Sequence, residues 1–250
     1  MHISIIGKPG SKAISKIVRT TPLTRYSSRC ELIVNYGLAG ERLQNFKGNH
    51  PGYHKKLIMN AKVGLTKYKG VMIASELGIQ VPKTFLNLPK GAKPANFLLK
   101  RMHSQGGVGI KVAKSFDKPL NTYYQEFITN RRYELRVHGF MWEDPKKWVI
   151  QKRLGREGEI TWNFHNGGRF QTIHNTNLDI FNAAKKATEQ ILNAMGMSFG
   201  AADFIVTNDN QLLFLEMNSA PGFTEFSEQI YINAFTNLSN LDKIKIRKYC

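Results

Sequence analysis

Asp203-Phe-Ile-Val-Thr-Asn-Asp-Asn-Gln-Leu-Leu-Phe-Leu-Glu-Met-Asn-Ser-Ala-Pro-Gly222 decides how the rest of this chain is read. Two apolar runs, residues 204–206 and 212–215, flank Asp209-Asn210, the composition of a β-hairpin closed by a two-residue turn. In that register Asp203 faces Glu216, and Ala201 faces Asn218. Directly opposed side chains have Cβ atoms about 4.5–5.5 Å apart, and two facing carboxylates repel. With Asn218 on the same face by strand alternation, the pair calls for a cation. An oxygen-only set suits Mg²⁺, which keeps several waters and shares its shell with nucleotide phosphates. Two solvated charges on an ordinary hairpin have the same spacing; the Asn-Ser-Ala-Pro-Gly turn favours the metal.

Upstream, Ile180, Phe181, Ala184, Ala187, Ile191, Leu192 and Met195 follow helical spacing, and Gly196 ends the helix. These are core residues. Residues 134–140 and 148–152 alternate as strands, the second bringing Lys152 and Arg153 beside the first, with a polar turn expected at 130–132. Residues 161–168 are polar and read as turn chemistry. Residues 123–128 form another β run. Further upstream, strand 97–100 leads into His103-Ser-Gln-Gly-Gly-Val-Gly-Ile110, and Lys111-Val112 returns. Strand, glycine-rich loop and strand make the hairpin form of a phosphate cover, because small residues let backbone N–H groups approach oxygens. Flexible hairpin tips share the pattern; Lys100 just upstream strengthens the phosphate reading.

Residues 60–78 read as a helix ending at Gly78, after which Val81-Pro82 forces extension. At the start, residues 3–6 and 31–35 read as strands around a helix carrying Ile14, Ile17 and Val18. Gly7-Lys-Pro-Gly10 between them lacks phosphate-loop spacing and reads as a βα turn. A basic loop at 45–56 carries Phe46, His50, Tyr53 and His54, which would stack on bases or pack on neighbours. After Phe226 the tail is helical, then basic at 243–248.

The formal net charge is +18, and residues 1–70 hold 13 Lys or Arg against two acids. That excess implies an anionic partner: nucleic acid, nucleotide phosphates or an acidic peptide. Two cysteines, Cys30 and Cys250, exclude a disulfide framework and a Cys/His zinc site. No apolar run approaches the roughly 18–20 residues of a membrane span. Residues 3–6 read as a strand rather than a signal peptide, and the expectation is a cytoplasmic protein without membrane attachment.

In this order, the pieces from about Asn60 to Gly222 resemble the ATP-grasp superfamily, the carboxylate–amine ligases that activate an acid as an acyl phosphate. The likeness is greatest to the branch of D-alanine–D-alanine ligases and enzymes that add amino acids to protein or peptide carboxylates. Gly200-Ala-Ala-Asp203 with Leu215-Glu216-Met-Asn218-Ser-Ala-Pro-Gly222 resembles its magnesium-binding signature, and Gly-Ile-Gln-Val-Pro-Lys-Thr at 78–84 its lead-in to the nucleotide lobe. One departure is Ala201, where D-alanine ligases carry an arginine.

The resemblance implies an α/β (α+β) chain with the ATP-grasp fold. Two α+β lobes would grip ATP, residues 59–128 for the nucleotide and 129–250 for metal and substrate, behind a short basic α/β lobe at 1–58. It implies that Lys100 holds phosphates, with Lys62 as a further nucleotide-side lysine. Ser104, Gly106, Gly107 and Gly109 would belong to a closing loop. Glu126, Phe127 and Ile128 would make the adenine hinge, and Glu134 would reach the ribose. Arg136, Arg153 and Asn163 match positions near the transferred phosphate and acyl substrate, and Asp203, Glu216 and Asn218 would hold Mg²⁺, with Mn²⁺ as the alternative ion. The implied function is an ATP- and Mg²⁺-dependent ligase joining an unidentified carboxylate to an unidentified amine. The alternatives are a catalytically reduced nucleic-acid-binding protein, and an ATP-grasp kinase. A ligase docking on nucleic acid or ribonucleoprotein through its basic N-terminal region would also use the charge.

Overall fold

The computed structural model describes residues 1–104, 107–155, 159–162, 168–173, 178–222 and 227–250. Three sheets carry the architecture. In the first, β1 (Ile3–Gly7), β2 (Thr24–Arg25), β3 (Leu32–Tyr36) and β4 (Leu57–Met59) run parallel in the order β2-β1-β3-β4. Helices α1 (Lys12–Thr20) and α2 (Gly40–Asn49) connect them. The first lobe is thus a fuller parallel sheet than two strands and a helix. Ser11 caps α1 through the Ile14 N–H, as a βα turn requires.

The stretch expected as a basic loop at 45–56 is the end of α2 and a 3₁₀ turn, Pro51–Lys55. Its rings pack on one another and on the first lobe, with His54 left exposed. Tyr53 is buried, Phe46 packs on Tyr26 and His50, and His54 lies edge-on to Tyr53. The helix expected over 60–78 is shorter, α3 (Lys67–Glu76), capped by Thr66. Asn60 at φ 56° and Gly64 at φ 104° are left-handed, which breaks helical continuity before Thr66. Asn60 instead ties β4 to the last sheet: its side chain accepts from Ser198 N–H and donates to Phe199 O. Gly78 closes the helix end at φ 75°.

The second sheet is antiparallel, β5 (Thr84–Phe85), β8 (Thr122–Glu126), β6 (Phe97–Arg101) and β7 (Lys111–Val112), in the order β5-β8-β6-β7. Phe97, Leu99 and Tyr124 form the core of one face. Lys100, Tyr123 and Gln125 alternate to the other.

The third sheet is antiparallel too: β9 (Arg131–Phe140), β10 (Val149–Leu154), β11 (Arg169–Ile173), β12 (Phe199–Thr207) and β13 (Leu212–Asn218), in the order β11-β10-β9-β12-β13. β9 already starts at Arg131, so the expected turn at 130–132 is mostly strand. Leu135, Val137, Ile150, Phe204 and Phe214 pack one face against α4 (Asp179–Ala194). On the opposite face, alternation lines up Glu134, Arg136 and His138 on β9 with Gln151 and Arg153 on β10. Two helices end the chain, α5 (Glu228–Ser239) and α6 (Lys243–Arg247). α5 packs Tyr231, Phe235 and Leu238 against Ile14, Ile17, Phe140 and Phe199, fusing the first sheet to the third in one core. Among the described residues no helix is long and apolar enough to cross a membrane.

Candidate active site

The β12–β13 hairpin opposes Asp203 to Glu216 and Ala201 to Asn218, as the sequence register requires. The route to that register differs from the expectation. At the tip, Thr207 and Gln211 exchange hydrogen bonds across three residues, Asn208 to Asn210, with Asn210 at φ 60°. A longer turn alone would shift the partners by one. A bulge between Asp203 and Phe204, where Phe204 pairs with Phe214 and Leu215 is the extra residue, restores the opposition.

Around the two acids lies a buried ionic cluster. Arg136, paired with Asp203 across β9 and β12, grips it with two hydrogen bonds of 2.7 Å. Arg153 donates to Glu134 at 2.8 Å and stands 3.8 Å from Asp203, and Arg131 reaches the other Glu134 oxygen at 3.4 Å. Lys67, at the start of α3, contacts Glu216 at 2.6 Å. Sequence reading missed Lys67, because a pair 149 positions apart has no local signature; Lys62, singled out instead, lines a small cleft with Lys67, Met217 and Ser219.

Burial opposes the charge on both acids. For Asp203 the guanidiniums of Arg136 and Arg153 outweigh it and hold the carboxyl below its usual range. For Glu216, Lys67 and Lys100 do the same. Glu134 goes the other way: burial raises it despite Arg153 and Arg131. Burial pulls the Lys100 ammonium down to about 8, against Glu216, Glu134 and Asp203. Lys100 donates to Gln125 Oε1 at 2.8 Å and lies over the Tyr123 ring.

The donors fit two charged guests. Asn218 Nδ2 sits 3.4 Å from Asp203 Oδ2 and 3.3 Å from Glu216 Oε1, so both carboxylates converge on that amide. Turning the amide over presents its oxygen there, completing an all-oxygen set for a hard cation. A polyanion is suited by the cationic rim and by buried donors that have no partner among the described residues, Arg153 Nε and the Tyr123 hydroxyl.

Other expected site residues are placed as follows. Ser104, Gly107 and Gly109 lie in the loop between β6 and β7, with Gly107 at φ 73° and Gly109 at φ 80°. A side chain at Gly109 would also strike Arg101. Gly106 and Asn163 lie outside the described residues. Glu126, Phe127 and Ile128 form the end of β8 and the crossing to β9, that is, from the second sheet to the third. There the Glu126 and Phe127 N–H groups donate to Lys83 O and Asn96 O. Glu134 stands within the ionic cluster, both its oxygens held by arginines.

Residues 169–238 match the family model "D-ala D-ala ligase C-terminus". A probable alpha-L-glutamate ligase of Haemophilus influenzae (strain PittEE) is 26% identical over 231 residues, 78% of this chain and 73% of that protein. Among solved structures, the D-alanine–D-alanine ligase of Bacillus anthracis complexed with ATP overlays with TM-score 0.66 at 14% identity, covering 99% of both chains. The ATP-grasp ligase PsnB complexed with minimal precursor overlays with TM-score 0.66 at 13% identity, covering 95% of this chain and 99% of that one. A sequence match on the strands that carry the opposed acids and a fold match over nearly the whole chain converge: this chain has the fold of the ATP-grasp ligases it overlays, and its residues 169–238 are similar to the C-terminal domain of D-alanine–D-alanine ligases.

Proposed function

We propose that the protein is an ATP- and Mg²⁺-dependent carboxylate–amine ligase that activates its acid as an acyl phosphate and releases ADP and phosphate. The observation that carries this is the opposition of Asp203 and Glu216 under a rim of Lys67, Lys100, Arg136 and Arg153. A carboxylate is a poor electrophile and needs a leaving group before an amine can attack. Cations on both sides of a transferring phosphoryl group offset charge that water would otherwise stabilise.

Asp203, Glu216 and Asn218 would hold Mg²⁺, with Mn²⁺ as the alternative. When bound, the ion neutralises phosphate charge. Lys100, on the second sheet, and Arg153, on the third, would grip phosphate oxygens from the two lobes. The β6–β7 loop, with glycines at positive φ, would close over them and keep water from the acyl phosphate. The segment 126–128 would take the purine, with donors starting at Ile128. The alpha-L-glutamate ligase relative makes L-glutamate the first amine to try.

The test compares the thermal stability of wild type and Glu216→Gln with ATP and Mg²⁺. At about a hundred times its dissociation constant a ligand stabilises the native state by about 2.7 kcal/mol. A Mg²⁺-dependent rise lost in the variant supports the site; no rise in wild type rejects it. Trapping with hydroxylamine then separates a ligase, which yields a hydroxamate from its acid, from a kinase, which does not.

A further inference from the structure

A second cleft opens on the other side of the edge strand from the two acids. Met217 alternates with Glu216 and Asn218 along β13, and packs with Met195 and Met197 into the core on the α4 side of the sheet. Two glycines make room for the three thioethers. A β-carbon at Gly70 on α3 would lie 3.1 Å from Met195 Cε, and one at Gly200 on β12 would lie 3.0 Å from Met217 Sδ and 3.1 Å from Met197 Cε. The three methionines, Leu65, Lys62 and Lys67 line an open cleft of about 410 Å³, a size that suits a small ligand.

The lining is apolar and cationic at once. Thioethers are flexible and polarisable, and adapt to apolar guests of varied shape. Lys62 is exposed and has no hydrogen bond or ion pair among the described residues. Lys67 has a single acid partner, Glu216 at 2.6 Å, and its side chain is 14% exposed. No carboxylate lines the cleft. Two ammonium groups over thioether walls match a guest with a carboxylate head and an aliphatic tail.

We propose that this cleft binds a small aliphatic carboxylate as an effector, and that Lys67, shared between the cleft and Glu216, couples it to the divalent cation. The coupling rests on the metal reading of the acids; the cleft itself does not. In the ligand-free chain the Lys67 ammonium supplies the positive charge beside Glu216 that a metal ion would supply. A carboxylate in the cleft offers Lys67 a second acceptor and draws it off, which frees the Glu216 oxygens. Binding of the ion in turn expels Lys67 from Glu216 and leaves it to the anion. The two ligands therefore bind with positive, reciprocal cooperativity.

Two measurements test it on the full chain without nucleotide. The first is a titration with hexanoate, read at ¹³C-labelled methionine methyls. Saturable shifts are expected at Met195, Met197 and Met217 among the eight methionines. Acetate, which lacks the tail, and hexanol, which lacks the charge, should bind several-fold weaker, and Lys62→Met should weaken hexanoate to a similar degree. Shifts that are absent, spread evenly over the methionines, or equal for hexanol overturn the cleft. The second is Mn²⁺ affinity by electron paramagnetic resonance. Saturating hexanoate should tighten it about fivefold in wild type, and Lys67→Met should abolish that gain. An unchanged affinity in wild type, or the same gain in Lys67→Met, overturns the coupling. The metal reading fails separately: methyl shifts with no Mn²⁺ bound at all keep the anion cleft and reject the metal site.

Discussion

Lys100 keeps its ammonium in a place that costs the folded chain free energy. The unfolded chain holds that proton to about 10.5, whereas the folded chain releases it near 8. Between those values the unfolded state binds more protons, so stability rises with pH across the window. Lys100→Met should lack this rise, and urea denaturation at pH 7.5 and 9.5 measures it; equal slopes in the two proteins would count against a strained ammonium. The same burial suits Lys100 to a polyanion, since a phosphate would supply the acceptors that its surroundings withhold. Lys67 is the reverse case, a cation that stabilises an acid. Lys67→Met leaves Glu216 without its nearest counter-charge and should destabilise the ligand-free protein by about 2–3 kcal/mol. Added Mg²⁺ should recover part of that loss, because the ion would take over the charge; full recovery by NaCl would mean simple screening instead.

Among the elements, the β12–β13 hairpin shows what the sequence reveals and what it conceals. The apolar runs and the acid spacing were legible, because alternation alone decides which side chains share a face. The tip was not: Asn208 joins the turn and Leu215 bulges, and the two irregularities cancel at Asp203 and Glu216. Deleting Leu215 removes the bulge and leaves Glu216 next after Phe214, still opposite Asp203 but on a regular ladder. The variant should fold and keep Mg²⁺-dependent stabilisation by ATP in a thermal scan; lost stabilisation would show that the site needs the local bend of the bulge and not only the opposition of the two acids. Asn210→Ala should cost about 1 kcal/mol at its left-handed φ, while Asn210→Gly should cost less. The missed α2 has a similar cause. Leu43 is its one buried side chain, and its glycines and basic residues read as loop. The over-long helix at 60–66 failed because Asn60 engages a partner far along the chain, at Ser198 and Phe199.

At the scale of the molecule, the fold was legible in the order of the motifs, since strand, glycine-rich loop and acid-bearing hairpin follow one another as they do in the ligases the chain overlays. The size of the first lobe was not, because β2 and β4 are too short to show a period. Its packing was hidden as well. Ile14 and Ile17 on α1 meet Tyr231, Phe235 and Leu238 on α5, so the ends of the chain share one core. Deletion of residues 1–58 should therefore yield an insoluble or molten product by circular dichroism and solubility; a cooperative melt of the remainder would show that the other two sheets fold alone.

The first lobe also reaches the site directly. The Tyr36 hydroxyl donates to Pro221 O at 2.6 Å, and a β-carbon at Gly37 would lie 2.4 Å from that of Ala220. The turn that follows Asn218 is thus seated on the end of β3. For recombination between relatives this makes residues 36–37 and 220–221 one heritable unit although nearly two hundred positions separate them. Chimeras whose crossovers part the two pairs should lose turnover while keeping both parental folds, and a shuffled library selected for activity should return the pairs together.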